Sequence, residues 1–251
     1  MREIFISRNS LTDAYHSALS MLYNLGDHIY MNNWKKDTIE CSMTMEISNP
    51  LEEPMISKAF IGGPEDLQQY VMEMLDGILD FEIEKGNWTY TYHDRYSKQL
   101  DFIINELKSN PSSRQAIMHI RNDSDIGSTD PACLQSIQYF IRDNKLHCKV
   151  LFRSNDAFRA TFMNAFALIM LQKKVADILD LEVGTYVHRA NSFHIYEDNF
   201  KDVKSFLDKY TNKEYKHEDF CYYYLGEDGW KEMMDEAIPF IMNKVEKLKN
   251  Q

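Results

Sequence analysis

Residues 129–156 read TDPACLQSIQYFIRDNKLHCKVLFRSND. Cys133 follows a proline-containing turn, and Arg153 and Ser154 stand twenty residues further on. A cysteine is a useful nucleophile only as a thiolate, and a neighbouring guanidinium favours that ionised form. The same arginine can grip an anion with two parallel N–H donors, and the adjacent hydroxyl adds a third. The runs LQSIQYFI and LHCKVLFRS are strand-like, and Asp143-Asn144 between them is a turn signal. The spacing predicts a hairpin with Cys133 at the start of one strand and Arg153 at the end of the other, so that both reach one edge of a sheet. A plainer reading is also open at this level: an unpaired cysteine is a common core residue, and Arg153 can be a surface charge.

Several elements must hold such a pair. NSLTDAYHSALSMLYNLGD places Leu11, Ala14, Tyr15, Ala18, Leu19 and Leu22 at helical spacing, with Asn9 or Ser10 as cap. TIECSMTMEI alternates Ile39, Cys41, Met43, Met45 and Ile47 on one strand face. A helix starts at Pro64, with an apolar stripe through Leu67, Tyr70, Val71, Met74 and Ile78. RYSKQLDFIINELKSNP is a helix stopped before Pro111, and RQAIMHIR a short strand. ATFMNAFALIMLQKKVADILDL is apolar nearly all round and predicts a long central buried helix. A strand at GTYVHRANSFHIY and helices near 198–210 and 229–249 complete the chain. Without internal repeats or a Pro/Gly/Ser linker, the expectation is one α+β domain over residues 1–251.

Composition narrows the partners. A formal charge of −11 over 251 residues disfavours a nucleic-acid binder, which needs cations to displace counterions. Fifteen tyrosines and fourteen phenylalanines against nine glycines argue for a packed core rather than disorder. The N-terminal MREIFISRNS has no apolar export region, and no stretch approaches the ~20 apolar residues of a bilayer span. Cys41, Cys133, Cys148 and Cys221 form no CxxC pair, so reduced thiols in a cytoplasm are expected rather than disulfides or zinc, and no metal ligands are assigned.

Taken together, the motifs resemble the thymidylate synthase family, including its phage deoxycytidylate hydroxymethylases and archaeal members. The resemblance rests on Pro131-Ala132-Cys133, Gln138, Arg153-Ser154-Asn155-Asp156, Asn164, Gly184 and His194-Ile195-Tyr196, with Arg114 in NPSSRQAIM upstream. It covers roughly residues 88–200, and the order of the elements is more specific than any one of them. It implies a thymidylate synthase-like α+β fold: a mixed twisted sheet flanked by helices around a long buried one.

The resemblance also implies roles. Cys133 would add to C6 of a pyrimidine nucleotide and make C5 a carbon nucleophile, dividing a difficult bond formation into easier steps. Methylenetetrahydrofolate would supply the one-carbon unit. Arg153 and Ser154 would hold the 5′-phosphate, with Arg114 reaching across from the second subunit of a homodimer; Gln138 falls in the substrate set. His194 and Tyr196, on alternate strand residues, would bind the sugar 3′-hydroxyl. Asp156 would accept from the pterin, its plainer alternative being a turn cap. Asn164 would read the base, and its amide suits O4 and N3–H of uracil. Glu73 would be the helix-borne catalytic glutamate and Tyr92 the active-site tyrosine.

Some positions depart from the family pattern. Leu134 follows the cysteine where many members have histidine, and Phe152 precedes Arg153 where they have glutamine. MNNWKKDTIE stands in place of an arginine loop, so Lys35 or Lys36 is the expected phosphate contact. The chain ends in the charged, helix-like MNKVEKLKNQ rather than a short closing tail. The expected reaction is methylation of dUMP to dTMP; the alternative is a hydroxymethylase acting on dUMP, dCMP or CMP. A non-catalytic nucleotide binder and a helical interaction protein are the competing classes.

Overall fold

The computed structural model describes residues 1–212, 216–222 and 229–250. In chain order, β1 (Glu3–Arg8), α1 (Leu11–Leu25), β2 (Asp27–Met31) and β3 (Lys36–Ile47) lead to β4 (Ile56–Ser57), α2 (Pro64–Asp76) and α3 (Phe81–Glu84). Next come α4 (Tyr92–Ser109), β5 (Ile117–His119), β6 (Leu134–Arg142), β7 (Lys145–Asp156) and α5 (Thr161–Leu179). The chain finishes with β8 (Glu182–Tyr196), α6 (Phe200–Tyr210), β9 (Cys221–Tyr222) and α7 (Gly229–Lys249). Among the described residues, seven strands form one mixed sheet in the order β1-β3-β8-β7-β6-β5, with β2 also pairing β3. β4 and β9 form a separate pair. The α+β expectation, a mixed sheet flanked by helices, is met.

The predicted hairpin is β6 and β7. Asp143 and Asn144 take φ of 51° and 58°, the doubly left-handed pair that matches the twist of the flanking strands in a two-residue turn. β3 buries the whole apolar row Ile39, Cys41, Met43, Met45 and Ile47. α5 is buried over most of its length, from Phe162 to Ala176. Its Gln172 points a donor into the sheet, to the carbonyls of Leu146 at 2.7 Å and Gly184 at 3.0 Å, which pins the helix between β7 and β8. Ser10 caps α1 by accepting from the Asp13 N–H at 3.3 Å.

Two details differ from the sequence reading. The α2 stripe stops short of Ile78, because Gly77 takes the left-handed φ of 63° that ends the helix. Ile78 instead packs in a second apolar cluster, where Ala237, Ile241 and Val245 of α7 cover Met72 and Leu79. β1 was not foreseen; it lies parallel beside β3, pairing Ile4 with Met43 and Ile6 with Met45. Within the described residues no helix is long and apolar enough to cross a membrane.

Candidate active site

The turn Pro131-Ala132-Cys133 enters β6, and β7 returns beside it. The Arg153 N–H donates to the Cys133 carbonyl at 2.9 Å. Its guanidinium folds over the same turn, with Nε donating to the Ala132 carbonyl at 3.1 Å and Nη2 to the Pro131 carbonyl at 2.7 Å. One arginine thus fixes the backbone that carries Cys133. Cys133, Arg153, Ser154, Asp156, Asn164, His194 and Tyr196 line one cavity of about 390 Å³.

Three elements deliver these groups. β7 supplies Arg153 to Asp156, and the parallel partner β8 sets His194 opposite Asp156. His194 and Tyr196 do share a strand face, with ring centroids 4.9 Å apart in an edge-on arrangement. The first turn of α5 supplies Asn164. Behind the wall, Tyr186 Oη meets His188 Nδ1 at 3.0 Å, His188 Nε2 donates to Asn155 Oδ1 at 2.9 Å, and Thr161 Oγ1 donates to the same oxygen at 2.8 Å. This buried polar chain clamps β7, β8 and α5 together below the cavity.

Asp156 Oδ1 accepts from the N–H groups of Phe158 (3.0 Å) and Arg159 (2.8 Å). The carboxylate is therefore a turn cap as well as a cavity group.

The electrostatics are set by burial. Desolvation raises the Cys133 thiol above its ordinary range, Arg153 opposes that, and Asp130 adds to it. Burial pushes the Tyr70 and Tyr92 phenols up, so both are proton donors at neutral pH. His194 is lowered, mainly by burial, with Asp156 pulling the other way. Its ring is neutral at physiological pH.

The structure separates some of the sequence-predicted residues from this cluster. Glu73 is on α2 as expected, but it lines an adjoining cavity of about 530 Å³ and not the one that holds Cys133. Burial raises its carboxyl, against a hydrogen bond from Gln69 and the charge of Lys244. Tyr92 lines both cavities, and its Oη accepts from the Leu134 N–H at 3.4 Å. Gln138 is absent from the cavity wall; its amide donates to the Arg114 carbonyl at 2.9 Å. Arg114 is exposed and does not enter its own chain's cavity. Lys36 pairs with Asp198, and neither Lys35 nor Lys36 lines the cavity. Trp34, between them and β2, does.

Several cavity residues were missed, Tyr70, Trp34, Asp130 and Met163 among them. Tyr70, one turn before Glu73 on α2, lines both cavities and donates its phenol proton to Asn164 Oδ1. In the sequence it was one more member of an apolar stripe; the signal was a hydroxyl on that stripe. Its bond holds the Asn164 amide in one orientation, oxygen toward α2.

The adjoining cavity has an aromatic wall of Trp88, Tyr90 and Tyr92, the last two with centroids 5.9 Å apart. It adjoins the Cys133 cavity, with Tyr70, Tyr92 and Asp130 lining both. A flat conjugated heterocycle fits such a surface.

Comparison with known proteins follows the same lines. Residues 24–218 match the family model described as Thymidylate synthase. A protein of Methanocaldococcus jannaschii named "Putative thymidylate synthase" is 30% identical over 213 residues, covering 80% of this chain and 95% of its own. A protein of the same name from Methanosarcina barkeri is 26% identical over 205 residues, with 80% and 94% covered. The thymidylate synthase of Bacillus subtilis subsp. natto is 31% identical over 107 residues, which is 42% of this chain and 38% of that one. Among solved structures, thermostable thymidylate synthase A from Bacillus subtilis superposes with a TM-score of 0.63 at 19% identity, covering 80% of this chain and 84% of the other.

Proposed function

Because the chain belongs to the thymidylate synthase family, whose members transfer one carbon from methylenetetrahydrofolate to a pyrimidine nucleotide, we propose that it methylates dUMP to dTMP through a covalent bond from Cys133 to C6. The observation that supports this most is the convergence of Cys133, Arg153, Asn164, His194 and Tyr196 on one cavity from three different elements.

In this reading Arg153 and Ser154 take the 5′-phosphate, and His194 with Tyr196 takes the sugar hydroxyl. Asn164 reads the base. With Oδ1 already accepting from Tyr70, its second lone pair suits N3–H and its amino group suits O4, the edge of uracil. Cytosine reverses both groups and asks Asn164 to turn its amino group toward Tyr70. Addition of the Cys133 thiolate to C6 leaves the electron pair on C5, stabilised through the ring carbonyl. Tyr92, held beside Leu134 at the start of β6, is a protonated donor there, and Glu73 lies one cavity further out.

Methylenetetrahydrofolate, when bound, supplies the one-carbon unit and the hydride that makes a methyl group. Asp156 and the Trp88–Tyr90–Tyr92 wall are the residues that would hold it. Water at that stage gives a hydroxymethyl group instead, so the product depends on what keeps water out.

A second reading, hydroxymethylation, has one observation in its favour. α7 packs its apolar face on α2 through Ile241 and Val245, and Lys244 donates to Gln69 at 2.9 Å. Among the described residues it contributes nothing to the wall of the Cys133 cavity. Tritium release from 5-tritiated dUMP with methylenetetrahydrofolate, followed by the product mass, tests both readings. Release with a methyl product supports the proposal. Release with a hydroxymethyl product replaces it with the second reading, and no release from dUMP, dCMP, UMP or CMP ends both.

We also propose a homodimer. The sheet face that bears Phe5, Thr44, Val187 and Lys149 is the outer one, and Phe5 is 64% exposed on it. In that dimer the exposed Arg114 of one subunit would serve the other's phosphate site, the role that the family resemblance implies for it. Mixing an inactive Arg114→Ala variant with an inactive Cys133→Ala variant should restore up to about a quarter of the activity, through hybrids that keep one intact site. A monomer by sedimentation, or no recovery on mixing, would sink the idea.

A further inference from the structure

Away from the nucleotide cavity, α1 meets residues 216–222 in a pocket of the core. We infer that His16, His217 and Cys221 there form a zinc-binding site. The donor atoms of the three side chains lie within 4.8 Å of one another. His16 and Cys221 are almost fully buried, at 0% and 1% exposure. The surroundings are aromatic: Phe206, Tyr210 and Phe220 ring the His16 imidazole at centroid distances of 5.0, 5.1 and 6.4 Å.

Hydrogen bonding among these groups does not satisfy them. His16 Nε2 meets Ser57 Oγ at 2.6 Å, and His217 Nε2 lies 3.2 Å from Thr12 Oγ1 and 3.5 Å from Cys221 Sγ. The second nitrogen of each ring, His16 Nδ1 and His217 Nδ1, is buried without a partner among the described residues. Buried polar atoms left unpaired in this way are costly, and a metal held by His16 Nδ1, His217 Nε2 and the Cys221 thiol would satisfy the first of them.

The donor set selects the metal. Two imidazoles and one sulfur suit zinc and are poor ligands for magnesium or calcium, which take oxygen. Zinc bonds of about 2.3 Å to sulfur and 2.0–2.1 Å to nitrogen put tetrahedral donors roughly 3.3–3.6 Å apart. The 3.5 Å between His217 Nε2 and Cys221 Sγ already has that spacing. A fourth position falls to water. Ser57, on one nitrogen of His16, is placed to orient a metal-bound ring by accepting from it.

Protonation is compatible with this. Burial, with His217 beside it, holds His16 down to about 3, so its ring is in the neutral, ligating form. Burial pushes the Cys221 thiol up to about 11. Binding therefore releases one proton to solvent as Zn²⁺ takes the thiolate. The ion would tie residues 216–222 to α1 beside the β4–β9 pair, where Ser57 is paired with Cys221. Its role is structural, because none of the three ligands touches the Cys133 cavity.

The test uses tag-free full-length chain from zinc-supplemented culture, dialysed before elemental analysis. About one zinc per chain is expected. Exchange for Co²⁺ should give a thiolate-to-cobalt absorption band, absent in Cys221→Ser and retained in Cys133→Ser. Chelation should lower the melting temperature of the wild type. Only trace zinc, no thiolate band, or a band that persists in Cys221→Ser would each overturn the site. The wild-type cobalt spectrum decides the matter even if Cys221→Ser does not fold.

Discussion

Cys133→Ala is expected to lose roughly four or more orders of magnitude in kcat, the scale seen when a covalent nucleophile is removed. dUMP should still bind with about its original affinity, because Arg153, Ser154, His194 and Tyr196 stay where they are. The substitution removes one atom from a half-buried side chain that packs at the margin of the core, so the fold should tolerate it. Calorimetry of dUMP binding alongside tritium release measures the two quantities separately. Turnover at the wild-type rate would end the covalent mechanism. The pH dependence of the free enzyme follows from the thiol. Burial raises it, so it is protonated at neutral pH, and alkylation by iodoacetamide should speed up as pH rises through its titration.

Arg153→Ala has the second largest expected effect, and it reaches two properties through one side chain. Loss of a charge-assisted phosphate contact should weaken dUMP binding by about 2–4 kcal/mol, or roughly 30- to 1000-fold. Deoxyuridine, which has no phosphate, should bind the variant and the wild type alike. The same guanidinium holds the Pro131 and Ala132 carbonyls and is the group that draws the Cys133 thiol downward. Its removal should therefore move alkylation of Cys133 to higher pH, with slower reaction at any fixed pH below the titration. Arg153→Lys keeps a positive charge but not the planar fork, so it should recover part of the alkylation profile and little of the affinity. Unchanged dUMP affinity in Arg153→Ala would remove Arg153 from the phosphate site.

Much of this site was legible from local pattern. Asp143-Asn144 between two strand-like runs specified the hairpin and so brought Cys133 and Arg153 to one edge, although a bulge between Leu134 and Ser136 shifts the turn-set register by one residue before they meet. Alternation placed His194 and Tyr196 on one face, and the all-round apolar α5 announced a central helix. Such features depend on neighbours a few residues apart, which a sequence displays directly.

Contacts between distant elements were decided elsewhere. The sequence put Tyr70 in an apolar stripe and made Glu73 the candidate acid of α2; only the rotation of that helix against α5 set Tyr70 on Asn164 and left Glu73 in the adjoining cavity. Register between β5 and β6 spent Gln138 on the Arg114 carbonyl, and the position of Asp198 after β8 took Lys36. The His16–His217–Cys221 cluster joins a His–Cys pair four residues apart to a histidine some two hundred residues earlier, a separation that no local motif spans. The sequence by itself determined the elements and the order of their chemical groups, since periodicity and turn chemistry act over a few residues. The tertiary structure alone decided which groups share a cavity, because helix rotation and strand register are fixed by packing across the whole core.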